Sequence, residues 1–382
     1  MNDKISYAYL VSGDCSKFTP SANAYQKLKL VCADLQGKII VPRGCETWVH
    51  PEFRSSVLTY RYPLALTRGV LGKLLCPLQI WVGLFAWRRE VVHWLGAPSN
   101  EMTFFAWWIA EGFSRKPFVL FCWDPPGISV RDRKQVLPKL RCWLMDRLMS
   151  LAVRKSKRMI LNLHEGFLVG RFAAKTVQKI ATFPNGTNVQ QNQTLVQGVR
   201  QIPFRLAVNS KFERAKGCFE MAKLFVAVWR RIPKANLVWT GDGIDREETL
   251  DYLKREGVPD DYIVAPGWTP HAEALRLLAT GVIAVNCYED VPSLRWNYVL
   301  KIPEFMSIGL PLVSVDLPGV REYIKDGVNG FLFPPEDWET AASKVIELLE
   351  TDVLRETMRE RCLTAVEKYD WKAINSGIRK LL

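Results

Sequence analysis

No uninterrupted apolar run in this sequence reaches the roughly 20 residues that a membrane-spanning helix needs. The opening residues, MNDKISYAYLVSG, lack a basic region followed by an apolar one, so they read as a first strand and not as a signal peptide. Cysteines number nine, an odd count, and none is spaced as Cys-x-x-Cys. This argues against a disulfide framework and a zinc site, and for a reducing compartment. There is no short internal repeat, no low-complexity tract and no Asp-x-Asp metal signature. The expectation is a cytoplasmic protein, soluble or peripheral on the inner face of a membrane.

What is present is asymmetric. Residues 1–184 carry a net charge of +15 and residues 185–382 a net of −2, within a total of +13 over 382 residues. The excess suggests a polyanionic partner of the first half, a membrane surface or a nucleic acid, with a generically basic soluble surface as the alternative. Two segments combine apolar bulk with cations. Leu74 to Trp87 runs into Arg88-Arg89, and Trp143-Leu144-Met145 precedes Arg147, Arg154, Lys155, Lys157 and Arg158. Helices that lie in a membrane interface have this composition, and so do core helices of an α/β domain, which is the favoured reading for most of these apolar residues.

Strand and helix patterns alternate throughout. Strands are expected at Ile5 to Val11, Lys38 to Val41, Glu90 to Trp94, Pro117 to Cys122 and Met159 to Leu163. Helices are expected at Ala22 to Leu35, Leu74 to Trp87, Met102 to Phe113 and about Arg133 to Lys157, with residues 43–66 loop-rich and aromatic. The second half repeats the alternation from Phe204 to Val208 onward, after a hinge near Pro184-Asn185-Gly186. Such alternation builds parallel sheets covered on both faces. The fold class is α/β, with two Rossmann-like doubly wound domains facing across a cleft. The domain reading is 1–184, 185–355 and a C-terminal helical segment, 356–382, that can pack back on the N-terminal domain.

The most specific stretch is KIPEFMSIGLPLVSVDLPGVREYIKDGVNGFL, Lys301 to Leu332. Glu304 opens an apolar helix, a Gly-Leu-Pro break leads into the strand Leu312-Val313-Ser314-Val315, and Glu322 precedes a Gly-x-Asn-Gly turn. This punctuation presents loops and helix N-termini at the carboxyl ends of strands, where unpaired N–H groups favour anions. The pattern resembles the donor-binding region of family 4 glycosyltransferases of the GT-B fold. A second element, Asn209-Ser210-Lys211-Phe212-Glu213-Arg214-Ala215-Lys216-Gly217, follows a strand and opens a helix. It resembles the family's G-R-L-x-x-x-K-G diphosphate clamp. Lys216 matches directly, and Lys211 takes the Arg position, which turns a forked contact into a point charge.

The resemblance implies further roles. Glu304 accepts hydrogen bonds from the ribose hydroxyls of a nucleotide. The family's second acid, eight positions earlier, is Trp296 here, and Glu289 or Asp290 could substitute for it. The loop Trp296 to Leu300 would lie over the diphosphate, with Asn297 as a polar contact, and Lys301 is also a donor-binding residue. Gly267-Trp268 sits where the base is cradled, with Trp268 either stacking on the base or buried as structure. Gly241-Asp242-Gly243 matches a tight turn at the cleft, and Gly13 the first strand–helix loop that approaches the donor phosphate, with Lys17 behind it. On the acceptor side Asp124 ends the strand at Cys122 and is either the polar group beside the reacting centre or a turn acid. His93 is read as ending a strand at a common family position, and His164-Glu165 as facing the cleft or packing as structure.

The implied function is transfer of a sugar from a nucleotide-sugar donor, such as a UDP- or GDP-sugar, to an acceptor hydroxyl. Transfer would be retaining, free of metal and of any cofactor, with the donor in the C-terminal domain. The favoured acceptor is a lipid-linked saccharide at an anionic membrane, in polysaccharide or glycolipid synthesis. The alternatives are a glucosyltransferase acting on a hydroxylated DNA base and a catalytically inactive binding protein of the same fold. Nothing in the sequence speaks to oligomeric state.

Overall fold

The computed structural model describes residues 4–11, 23–63, 74–98, 101–114, 116–122 and 136–382. The chain divides into two compact units, Met1–Pro184 with Trp371–Leu382, and Asn185–Asp370. The helix Asp352–Val366 therefore belongs to the second unit, and the helix Trp371–Arg379 to the first.

The first unit contains a seven-stranded sheet in the order β3-β2-β1-β4-β5-β6-β7, with every pairing parallel. The strands are β1 (Ile5–Leu10), β2 (Lys38–Pro42), β3 (Val57–Tyr60), β4 (Val91–Gly96), β5 (Phe118–Cys122), β6 (Arg158–Leu161) and β7 (Ile180–Thr182). β5 is buried at every position, as expected of a central parallel strand covered on both faces. Strand β3 lies inside the stretch expected to be loop-rich. It is only four residues long and earns its strand character by pairing Val57 with Ile39 at the sheet edge. The helix Cys76–Ala86 pins that edge, because Tyr60 Oη donates to the Gln79 carbonyl at 3.0 Å and Trp87 Nε1 to the Thr59 carbonyl at 3.3 Å.

The second unit has a six-stranded, wholly parallel sheet in the order β10-β9-β8-β11-β12-β13. Its strands are β8 (Arg205–Asn209), β9 (Asn236–Thr240), β10 (Ile263–Gly267), β11 (Ile283–Asn286), β12 (Leu312–Val315) and β13 (Gly330–Phe333). The chain winds outward from β8 to β10, returns to β11 beside β8, and winds out the other way. β8 and β11 thus flank a topological switch point, where the loops leaving neighbouring strands diverge and open a crevice. The helix Arg246–Arg255 has no counterpart among the sequence expectations. Only Thr249 and Leu253 of it are buried, too sparse a stripe to announce a helix.

Glycine decides the packing at the switch point. Gly217, at φ +70°, ends a short 3₁₀ turn (Arg214–Lys216) and opens the helix Cys218–Arg231. A Cβ placed there would collide with the Cys287 carbonyl just beyond β11. Gly257, at φ +89°, has open space where its Cβ would be. Gly257→Ala is expected to pay only the left-handed backbone cost of about 1–2 kcal/mol. Gly217→Ala should cost visibly more, because the β8 and β11 loops must also part. Thermal melts of the two variants check this, and equal losses would contradict it.

Candidate functional site

The loop leaving β8 is built on its neighbour. Ser210 and Phe212 donate backbone N–H groups to the Thr240 and Asp242 carbonyls at 3.1 and 3.2 Å. The Phe212 ring stacks on Trp239 at 4.2 Å, and Trp239 Nε1 donates to the Ser210 carbonyl at 3.1 Å. Cβ atoms at Gly241 and Gly243 would strike the Ser210 and Phe212 carbonyls. The Gly-Asp-Gly turn is therefore a backbone-on-backbone support for the β8 loop, which explains why small residues stand there.

Three lysines are drawn to this region, but two of them share one feature. Lys216 Nζ lies 4.7 Å and Lys301 Nζ 4.1 Å from the centre of the Tyr288 ring, two residues past β11. Lys211, expected to clamp together with Lys216, is largely exposed and forms an ion pair with Glu213 at 3.4 Å. An exposed pair of this kind contributes little, so it holds Lys211 only loosely. Lys301 is buried and its Nζ has no hydrogen-bond partner. Burial, reinforced by the nearby Lys216 charge, pushes its amine down to about 7. An anion beside Tyr288 would reverse that shift by favouring the charged form.

Glu304 stands three residues after Lys301 on the helix Lys301–Ser307, hence on the same face. Every residue of that helix is buried, Glu304 included. Its carboxylate accepts from His271 Nε2 at 2.8 Å. The Glu304 carbonyl accepts from Ser307 Oγ at 2.6 Å, and Asn192 Nδ2 donates to that hydroxyl at 3.0 Å. Hydrogen bonding to Glu304 raises the His271 pKa above its ordinary value. His271 was not among the sequence candidates. It lies 33 residues from Glu304, and only the crossover from β10 back to β11 brings its helix, His271–Leu278, over the sheet.

Gly267 ends β10 at φ +84°, and its carbonyl accepts from the Gly241 N–H at 3.1 Å. Trp268 is 77% exposed, which rules out the buried structural alternative. Asn297 is half-buried, and its carbonyl packs against Gly319, where a Cβ would not fit. Asp290 pairs with Arg295 at 3.5 Å. Glu289 lines a cavity of about 130 Å³ with Glu220, Glu336 and Tyr288. Burial and the like charges of Glu220 and Glu336 raise its carboxyl pKa. The later part of the Lys301–Leu332 stretch is largely structural. Asn329 bridges its own turn to Lys325 N and the Tyr323 carbonyl at 2.7 and 3.0 Å, and Glu322 accepts from Tyr369 Oη at 3.2 Å.

In the first unit, Gly13, Lys17 and Asp124 lie outside the described residues. His93 requires a correction. It is the third residue of β4, not its end, because the strand continues through Trp94 and Leu95 to Gly96. There it stacks on Tyr7 at 5.0 Å, beside the Ser6 carbonyl at 3.2 Å from Nδ1. It lies short of the carboxyl edge where α/β sheets bind ligands. His164 Nδ1 accepts from Gly166 N at 3.1 Å and caps a short turn. Among the described residues, no group of three or more His, Cys, Asp or Glu side chains is arranged to hold a metal ion.

Residues 204–351 match the family model described as Glycosyl transferases group 1. Over 166 residues the chain is 31% identical to sulfoquinovosyl transferase SQD2 of Arabidopsis thaliana, covering 43% of this chain and 31% of that protein. Over 97 residues it is 34% identical to the phosphatidyl-myo-inositol mannosyltransferase of Mycobacterium leprae, covering 25% of each. The matched segments thus span about a third or less of these relatives' own lengths. The structure of Anabaena HepE in complex with UDP superposes with a TM-score of 0.70 at 15% identity, covering 98% of this chain and 99% of that one. The fold is GT-B, two Rossmann-like parallel-sheet domains. Within the second unit, residues 204–351 carry the group 1 match.

The His271–Glu304 pair has a pH signature. Because the folded-state pKa of His271 is raised, its stabilising contribution is complete below about 6.5 and fades as pH rises through the raised value. Replacing His271 with Asn should therefore lower the melting temperature more at pH 6 than at pH 9. A difference independent of pH would show that the pair does not titrate as described.

Proposed function

We propose that the protein is a nucleotide-sugar-dependent glycosyltransferase whose second unit binds the donor. The observation that carries this reading is the convergence of Lys216 and Lys301 on Tyr288 at the switch point, with Glu304 on the same helix face as Lys301. The two ammonium groups and the N-terminus of the helix Cys218–Arg231 stabilise the diphosphate as it departs, where negative charge grows in the transition state. Glu304, oriented by His271, accepts from the ribose hydroxyls. Trp268 offers its exposed ring to the base, beside Gly267, and Gly241 supports the β8 loop beneath. Asn297 and Lys211 add contacts to the diphosphate. Glu289 takes the sugar-hydroxyl role that Trp296 cannot fill. With lysines supplying the charge, the reading needs no metal, and it follows the family in retaining anomeric configuration.

The acceptor in this reading is a lipid-linked saccharide at an anionic membrane surface, and the protein is peripheral on the cytoplasmic face. Support comes from the +15 charge of residues 1–184. The name of the mycobacterial relative adds to it, since it describes transfer of mannose to a phosphatidyl-inositol. Asp124 is the proposed polar group beside the acceptor hydroxyl.

Screening nucleotide sugars by thermal stabilisation and then assaying transfer or hydrolysis tests the function. Lys216→Ala should reduce kcat by about 10²–10³, the usual cost of removing one charge-stabilising group. Glu304→Ala should act mainly on the donor KM. Full turnover in both variants, or stabilisation by no nucleotide sugar, would overturn the reading.

A further inference from the structure

The helix Val136–Lys155 of the first unit carries large apolar side chains on its outside. Leu140, Trp143 and Leu144 are 59, 56 and 46% exposed. Their spacing of three and four residues, continued by Arg147, places all four on one helix face. The opposite face is used in the usual way, with Met145, Met149, Ala152 and Val153 buried. The stripe is therefore not a core face left open by mistake. It is a second apolar face on a helix whose core contacts are already made.

Beside the stripe lies a groove of about 830 Å³ formed between this helix and residues 170–176. Its charged lining is Arg147, Arg154, Arg171 and Lys175, with Asp146 as the single acid. Two of the guanidinium groups rest against aromatic rings, Arg147 at 5.4 Å from the Trp143 ring centre and Arg171 at 4.6 Å from Phe167. Val169, 78% exposed, adjoins the groove residue Gly170 in the chain. Apolar and aromatic side chains next to an arginine-rich hollow are the chemical complement of one surface, an acyl layer overlaid by phosphate.

We propose that this face docks the first unit on an anionic phospholipid membrane. Leu140, Trp143 and Leu144 enter the boundary between headgroups and acyl chains, and the groove receives the phosphate of a lipid headgroup between Arg147, Arg154, Arg171 and Lys175. The inference deepens the proposed function and rests on it for the lipid nature of the acceptor, while the docking itself involves none of the donor-site residues. A nucleic acid would use the arginines but leave the three exposed apolar side chains without a partner, and for that reason the membrane is the occupant.

Sedimentation of the full chain with phosphatidylcholine vesicles, with and without phosphatidylglycerol, tests the proposal. Binding is expected only where phosphatidylglycerol is present. Replacing Arg147 and Arg154 with Ala should weaken it about 30-fold, two cations at about 1 kcal/mol each. Replacing Trp143 with Ser should weaken it about tenfold or more and remove a blue-shifted component of the tryptophan emission. Unchanged thermal stabilisation by UDP in these variants shows that they are folded and separates failure of docking from failure of the donor reading. Equal sedimentation with both vesicle types, vesicle binding retained by both variants, or arginine-dependent binding of duplex DNA without vesicle binding would each overturn the proposal.

Discussion

The site depends on one close approach between two backbones. Gly217 and the Cys287 carbonyl touch at a point where no side chain fits. That contact draws the end of the β8 loop against the start of the β11 loop. Lys216 immediately precedes the glycine and Tyr288 immediately follows the cysteine, so the aromatic ring and the ammonium group meet as a consequence. The parallel sheet makes the approach possible by placing β8 and β11 side by side with their connections running in opposite directions. The surrounding glycines serve the same end, since Gly241 and Gly243 let the β9 turn lie directly beneath the β8 loop.

The electrostatic arrangement follows from that packing. A buried amine without a hydrogen-bond partner is costly in its charged form, and a neighbouring ammonium increases the cost. Lys301 meets both conditions, which holds its pKa near 7. The Tyr288 ring offsets part of the penalty through its negative face. In the proposed reading this arrangement suits an anionic ligand, which would supply the charge that favours the protonated amine. Glu304, three residues on, is also buried but keeps a partner of its own in His271. One helix thus carries an amine whose charged form is disfavoured and a carboxylate already held by a histidine.

Much of this was legible in the sequence. Alternating strands and helices indicated two parallel-sheet α/β units, and the Lys301–Leu332 pattern and the run from Asn209 to Gly217 both fall within the residues matched by the family model. Local pattern could not reveal β3, because four residues at a sheet edge acquire strand character from β2 and not from their own periodicity. His93 was misread because the apolar run of β4 extends past it to Gly96, a glycine required where the Trp107 ring packs on the strand. His271 was invisible because its partner is distant in the chain and the connection is topological. Trp143 and Leu144 had two readings, interfacial or core, that only their exposure separates. Composition located the apolar and cationic residues, and the fold decided which of them face outward.

The central claim is that Lys301 and Lys216 form an anion site whose charge is completed by its ligand. Calorimetric titration of UDP at pH 8, repeated in buffers of different ionisation enthalpy, measures protons taken up on binding. The account predicts net proton uptake that disappears in Lys301→Met while weaker UDP binding persists. UDP binding without proton uptake, or uptake unchanged in the variant, would contradict it.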